Sequence, residues 1–141
     1  MDTKFNFNSQ VCTSRSQSER LLALGLKKET ADMIYPSYTD MKSGKLLKVS
    51  DTPVVIYQLQ SCYDIPAWSL HRLWEMLPSN IEHCYIVTRE YEKCIADNAL
   101  YYASFESNDW LLGKGDSLFD SILLAIEWLI DREFFNKEYL V

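Results

Sequence analysis

No apolar run in these 141 residues approaches the roughly 18 needed to span a membrane. The opening residues, MDTKFNFNSQ, lack the apolar core of a signal peptide. Together these absences set the expectation of a cytoplasmic protein with no membrane role. There is no CxxC: Cys12, Cys62, Cys84 and Cys94 are widely spaced, which argues against a secreted disulfide scaffold. They read as free thiols, mostly buried. No GxSxG, HExxH or GxxxxGK[ST] occurs, so no familiar hydrolase, zinc-protease or nucleotide signature is present. Positive charge is also scarce, the net charge being −6. Residues 73–141 hold five Lys/Arg against thirteen Asp/Glu, and residues 1–72 hold nine against seven. An acidic C-terminal half argues against general nucleic-acid binding by that half, because neutralising phosphates takes clustered Lys and Arg.

Apolar material is abundant. It makes up 48 % of the chain and includes nineteen aromatic side chains, which excludes a disordered polymer. Its densest piece is Asp116 to Asp131, DSLFDSILLAIEWLID. At about 100° per residue, Leu118, Ile122, Ala125, Ile126 and Leu129 share one helical face. Phe119, Leu123 and Ile130 widen it on one side, Leu124 and Trp128 on the other. What remains polar is mainly a narrow strip of Asp116, Asp120, Glu127 and Asp131. A helix apolar over most of its circumference is buried over most of it. Asp116 reads as its N-cap.

The rest of the chain is arranged around that helix. Residues 1–15 read as an extended arm. Ser16 and Glu19 have the form of a capping box opening a short helix to Leu24, with Gly25 as its left-handed stop and Leu26 turned inward. A second short helix is predicted over Glu29 to Tyr35, stopped by Pro36. Residues 41–45 form a hairpin loop with Gly44 at positive φ. Val54 to Gln60 alternates as a strand. Pro66 suits the first turn of a helix that ends before Pro78, with Ala67, Leu70, Leu73, Trp74 and Leu77 inward. Ile81 to Tyr91 and Ala99 to Glu106 read as strands joined by a turn through residues 96–98. A loop through Asn108-Asp109 and Gly113-Lys114-Gly115 then leads to the long helix, and the tail docks as a strand or turn. The predicted fold is α+β and a single domain over residues 1–141. A small antiparallel sheet packs against the long C-terminal helix, with short N-terminal helices and a middle helix.

Three segments, SERLLALGLKKETADM, IPAWSLHRLWEMLP and SLFDSILLAIEWLI, occur in that order. On them the chain resembles a group of small uncharacterised proteins from bacteriophages and mobile elements of gut bacteria. The resemblance spans most of the chain, and its most specific piece is IPAWSLHRLWEMLP. It implies a bacterial or phage origin and a cytoplasmic setting. It assigns no activity and no functional residue.

The residues themselves name no catalytic or metal site and no cofactor. His83 and Cys84 are neighbours on a predicted strand and point to opposite faces. Cys62 and His71 remain as a candidate enzyme pair, weighed against a buried thiol and a helix-flank imidazole. The acidic strip reads as a solvated helix edge rather than a cation site. Gly113 to Ser117 reads as a turn rather than an anion cradle, since Asp116 repels phosphate. Lys27, Lys28, Lys42, Lys45 and Lys48 make a modest basic patch, the footprint of a nucleic-acid-associated alternative. Trp68 falls opposite the apolar stripe of its predicted helix, beside Arg72 and Glu75. It reads either as an interface anchor with a cation–π contact to Arg72 or as a side chain covered by a loop. Trp110 carries the same two readings. The favoured expectation is a non-enzymatic module that binds a protein partner or itself through Trp68, Arg72, Glu75 and Trp110.

Overall fold

The computed structural model describes residues 9–56, 61–83, 89–96, 98–104 and 107–141. The first helix, α1, is Arg15–Ala23. Its capping box is Ser14 with Gln17, two residues before the predicted Ser16 and Glu19. Glutamine serves as well as glutamate in that box, and the earlier start leaves Ser18 free to face inward. Gly25 ends the segment at φ +103°, and Leu26 is buried as expected.

The predicted helix over Glu29 to Tyr35 is absent. A single 3-10 turn, Lys28–Thr30, is followed by β1, Met33–Tyr35. Pro36 is the local cause: a residue before proline is pushed out of the α region, so Tyr35 is extended. A ribbon follows, β2 Ser37–Thr39 with β3 Leu46–Val49, around the predicted turn with Gly44 at φ +69°. Of the predicted Val54–Gln60 strand, β4 Val54–Val55 is formed, and residues 57–60 lie outside the described chain. β5 is Ile65–Ala67, so Pro66 sits in a strand and not in the first turn of a helix. It pairs with Ile34 at the edge of the sheet β4-β1-β5, where its missing N–H costs no ladder bond. The middle helix, α2 Leu70–Met76, starts later, capped by the Ser69 hydroxyl.

The second half is an antiparallel meander in the order β6-β7-β8-β9. Its strands are Asn80–His83, Arg89–Ala96, Ala99–Ser104 and Ser107–Lys114. Asn98, in the β7–β8 turn, takes φ +57°. Residues 107–114, read as a loop, form β9 instead. The long helix α3 is Leu118–Asp131 and packs on β8 and β9. Its cap is Ser117, not Asp116: the Ser117 hydroxyl accepts from the Asp120 N–H and bonds the Asp120 carboxylate. Phe119, Ile122, Leu123, Ala125, Ile126 and Leu129 are buried as the periodicity requires. They join Leu21, Leu26, Leu73, Leu77, Leu100 and Leu112 in the main core, which draws on both halves of the sequence. A 3-10 turn, Lys137–Tyr139, then brings Leu140 against Leu26. The fold is α+β.

Two polar assemblies fix the joints. Ser121 is fully buried in α3. Its hydroxyl accepts from Gly115 N–H at 2.8 Å and faces the carbonyls of Ser117, at 2.9 Å, and Asn98. One side chain therefore ties the β7–β8 turn, the β9–α3 loop and the helix. At the other end, the buried Thr13 hydroxyl bonds Ser18 at 2.8 Å and accepts from Trp68 N–H at 3.1 Å. Tyr35 Oη donates to the Thr13 carbonyl at 2.8 Å. These bonds stitch the segment before α1 to β1 and to the entry of α2.

Candidate interaction surface

Trp68 lies in the two-residue gap between β5 and α2, not in a helix, so the helical phase that placed it outward does not apply. It is fully buried in the main core, and its indole N–H donates to Thr30 Oγ1 at 2.9 Å. The covering element is the 3-10 turn Lys28–Thr30, so the loop-covered reading holds and the exposed-anchor reading is withdrawn. The expected cation–π contact with Arg72 falls with it. Glu75 is exposed and accepts instead from His71 Nε2 at 2.9 Å. Trp110 lies on β9, and its side chain is outside the described part of the structure.

The candidate pair Cys62 and His71 does not form a buried site. Cys62 is exposed, and His71 is 83 % exposed and turned to Glu75. Cys12, by contrast, is buried. The acidic strip is divided between helices: Gln17 Nε2 donates to Asp120 at 2.7 Å, and Arg20 pairs with Glu127 at 2.6 Å. Asp120 and Glu127 thus form a polar seam between α1 and α3, while Asp116 and Asp131 stay exposed. Among the described residues no cluster of His, Cys, Asp and Glu is placed to hold a metal, and no helix is long and apolar enough to cross a membrane.

The basic patch divides as well. Lys27 and Lys28 line a cavity of about 490 Å³ beside Leu22, Leu26 and Val141. Lys42, Lys45 and Lys48 are exposed on the β2–β3 hairpin. That hairpin also carries apolar side chains that no core covers: Tyr38 is 50 % exposed, Met41 fully so, and Leu47 66 %. Leu46 is exposed too. Tyr38 pairs with Lys48 and Thr39 with Leu46, which leaves Leu47 without a partner as a bulge. Lys48 Nζ stands 5.5 Å from the centre of the Tyr38 ring.

The hairpin is held firmly at both ends. At the tip, Asp40 Oδ1 accepts from Lys42 N–H at 2.7 Å and Ser43 N–H at 3.2 Å, and the Asp40 carbonyl accepts from Gly44 N–H at 2.8 Å. At the root, Asp64 Oδ1 accepts from Ser37 N–H at 2.7 Å and Ser37 Oγ–H at 2.6 Å. Val49 packs on a small second core of Cys12, Tyr35 and Ala67. The exposed apolar side chains thus stand on an anchored ribbon.

Among the described residues, burial shifts Lys93, Cys12 and Tyr35. Lys93 donates to the carbonyls of Trp74 at 2.6 Å and Leu77 at 3.1 Å, closing the C-terminal end of α2. Desolvation lowers its pKa below the ordinary 10.5. Cys12 Sγ lies 3.7 Å from Tyr35 Oη, and desolvation pushes the thiol above its ordinary 9.0. It pushes the Tyr35 phenol above 10.0, with the Cys12 contact adding to the rise. Both acids are favoured neutral in the fold, so their contribution is complete below pH 9.0 and is lost as pH climbs past 9.0 and 10.0. Tyr35→Phe is expected to cost about 1–3 kcal/mol at neutral pH, because the buried Thr13 carbonyl loses its donor. It should also flatten the fall in stability above about pH 9, as urea unfolding from pH 7 to 11 would show. An unchanged alkaline limb would place the titration elsewhere.

No protein family, no curated protein and no solved structure matches this chain significantly.

Proposed function

We propose that the protein is a non-enzymatic interaction module of the cytoplasm, of the phage or mobile-element kind its sequence resembles, and that it binds another protein through the β2–β3 hairpin. The observation that carries this reading is the exposure of Tyr38, Met41, Leu46 and Leu47 together on one anchored ribbon. Scattered surface leucines need no explanation, but apolar side chains gathered on a projecting two-stranded element do. The surface therefore shifts from the region of Trp68 to the hairpin.

The test is a tagged capture from a lysate of the source organism, read by quantitative mass spectrometry. Wild type is set beside the double variant Met41→Ser, Leu47→Ser. Both positions are exposed, so the double variant is expected to keep its far-UV CD spectrum and melting temperature. A stoichiometric protein lost in the variant supports the module. A partner retained equally by both counts against the hairpin. The nucleic-acid alternative draws on one feature, the Lys48 ammonium over the Tyr38 ring. It loses weight because Lys27 and Lys28 line a cavity that the hairpin lysines do not.

A further inference from the structure

We infer that the partner of the hairpin is an acidic protein surface: an apolar patch that receives Met41 and Leu47, rimmed by carboxylates that meet Lys42, Lys45 and Lys48. This rests on the hairpin being the binding element and deepens that reading by naming its ligand chemistry.

The argument begins with charge. The protein carries −6, yet this exposed apolar hairpin carries three ammonium groups. Among the described residues none of the three lysines pairs with a carboxylate. The nearby acids are already engaged. Asp40 is folded onto the turn's own N–H groups, Asp64 onto Ser37 and Ser61, and Asp51 pairs with Arg15 at 3.3 Å. The ribbon keeps a net positive charge, three ammonium groups against the single carboxylate of Asp40. Lysine is poor at an interface centre and effective at its rim, where it steers encounter and fixes register.

Shape then narrows the partner class. A phosphate backbone offers nothing to Met41 and Leu47, and three lysines neutralise few phosphates. Strand addition is disfavoured at the β3 edge, where the bulge at Leu47 breaks the regularity that an added strand needs, and β2 offers only three residues at the other edge. The same bulge leaves Leu47 unpaired and 66 % exposed, available to a pocket. The partner is therefore read through side chains: apolar at the centre, anionic around it.

The test uses a labelled synthetic peptide of alternating Glu and Leu, followed by fluorescence anisotropy with the full-length protein. Controls are the same peptide with Gln for Glu, a single-stranded thymidine oligonucleotide, and vesicles containing phosphatidylserine. The acidic peptide is expected to bind, and about tenfold more weakly when salt rises from about 50 to about 300 mM. The triple variant K42E/K45E/K48E should lose about tenfold, and the Gln peptide should bind wild type as weakly. Equal binding of the Gln and Glu peptides overturns the acidic-partner inference while leaving the module standing. Tighter binding of the oligonucleotide or the vesicles overturns it in favour of that ligand. No binding of the acidic peptide also overturns it. In that case capture of a protein lost in the Met41→Ser, Leu47→Ser variant still decides the module separately.

Discussion

Gly113→Ala is expected to destabilise the protein by about 3 kcal/mol or more and to lower its melting temperature by roughly 10 °C. Gly113 lies in β9 where that strand crosses α3. A methyl group there would sit 2.0 Å from the Ser121 carbonyl oxygen and 2.9 Å from the Ala125 nitrogen. Both are helix backbone atoms, so no rotamer change relieves the clash; the strand and helix must separate. Separation also strains the Ser121 hydroxyl bonds to the Gly115 N–H and the Asn98 carbonyl. Gly44→Ala is the matched control. Gly44 needs its φ of +69° but has open space around its Cβ direction, so alanine there costs only conformational strain, about 1 kcal/mol. Thermal melts followed by CD compare the two. A Gly113→Ala protein that melts within about 2 °C of wild type would mean that β9 and α3 do not meet as described.

That contrast shows what the sequence conveyed and what it hid. Gly44 was legible because its requirement is local: a turn between two strands needs one residue at positive φ. Gly113 was not, because its requirement is tertiary. From sequence it looked like one of two loop glycines before a helix, and nothing nearby in the chain shows a helix backbone within 3 Å of its missing side chain. The same division runs through the elements. The apolar circumference of α3 was legible because its period of 3.6 is carried by large side chains. Buried Ser121 escaped because a polar residue is assigned outward unless its partners are known. Of the prolines, Pro66 misled and Pro78, which lies past the end of α2, did not. Pro66 suits a helical first turn and an edge strand equally, and only the pairing with Ile34 decides between them.

The surface was legible in its charges and not in its apolar anchors. Lys42, Lys45 and Lys48 could be read directly, since lysine is almost always exposed. Met41, Leu46 and Leu47 drew no reading as anchors, because an apolar residue in a polar hairpin carries no local sign of whether a core covers it. What exposes them is that, among the described residues, β2 and β3 form a two-stranded ribbon that meets a core only at its Val49 root. Misplacing Trp68 had the converse cause. A helix begun at Pro66 rather than after Ser69 applies a helical phase to residues that are not helical, and Trp68 carried the error, whereas within α2 the phase held, with Leu73 buried and Glu75 exposed.

Trp68→Ala should therefore act as a core mutation and not as a probe of binding. Removing a fully buried indole costs about 3–5 kcal/mol, a large share of the 5–15 kcal/mol that holds a typical domain together. The loss is shared across the joint. The side chain fills space in the main core, while its backbone N–H and carbonyl hold Thr13 at 3.1 and 2.9 Å. Trp68→Phe keeps most of the ring volume and removes only the 2.9 Å bond to Thr30, whose hydroxyl still donates to the Lys27 carbonyl. It is expected to cost about 1–3 kcal/mol. The ordering follows: alanine melts far below wild type with loss of near-UV CD, phenylalanine melts between, and Met41→Ser, Leu47→Ser melts with wild type. Any loss of partner capture by Trp68→Ala would then track unfolding, whereas loss by the hairpin variant would occur in an intact fold. A Trp68→Ala protein that melts with wild type and still loses its partner would return Trp68 to the surface and remove the hairpin from its place in the argument.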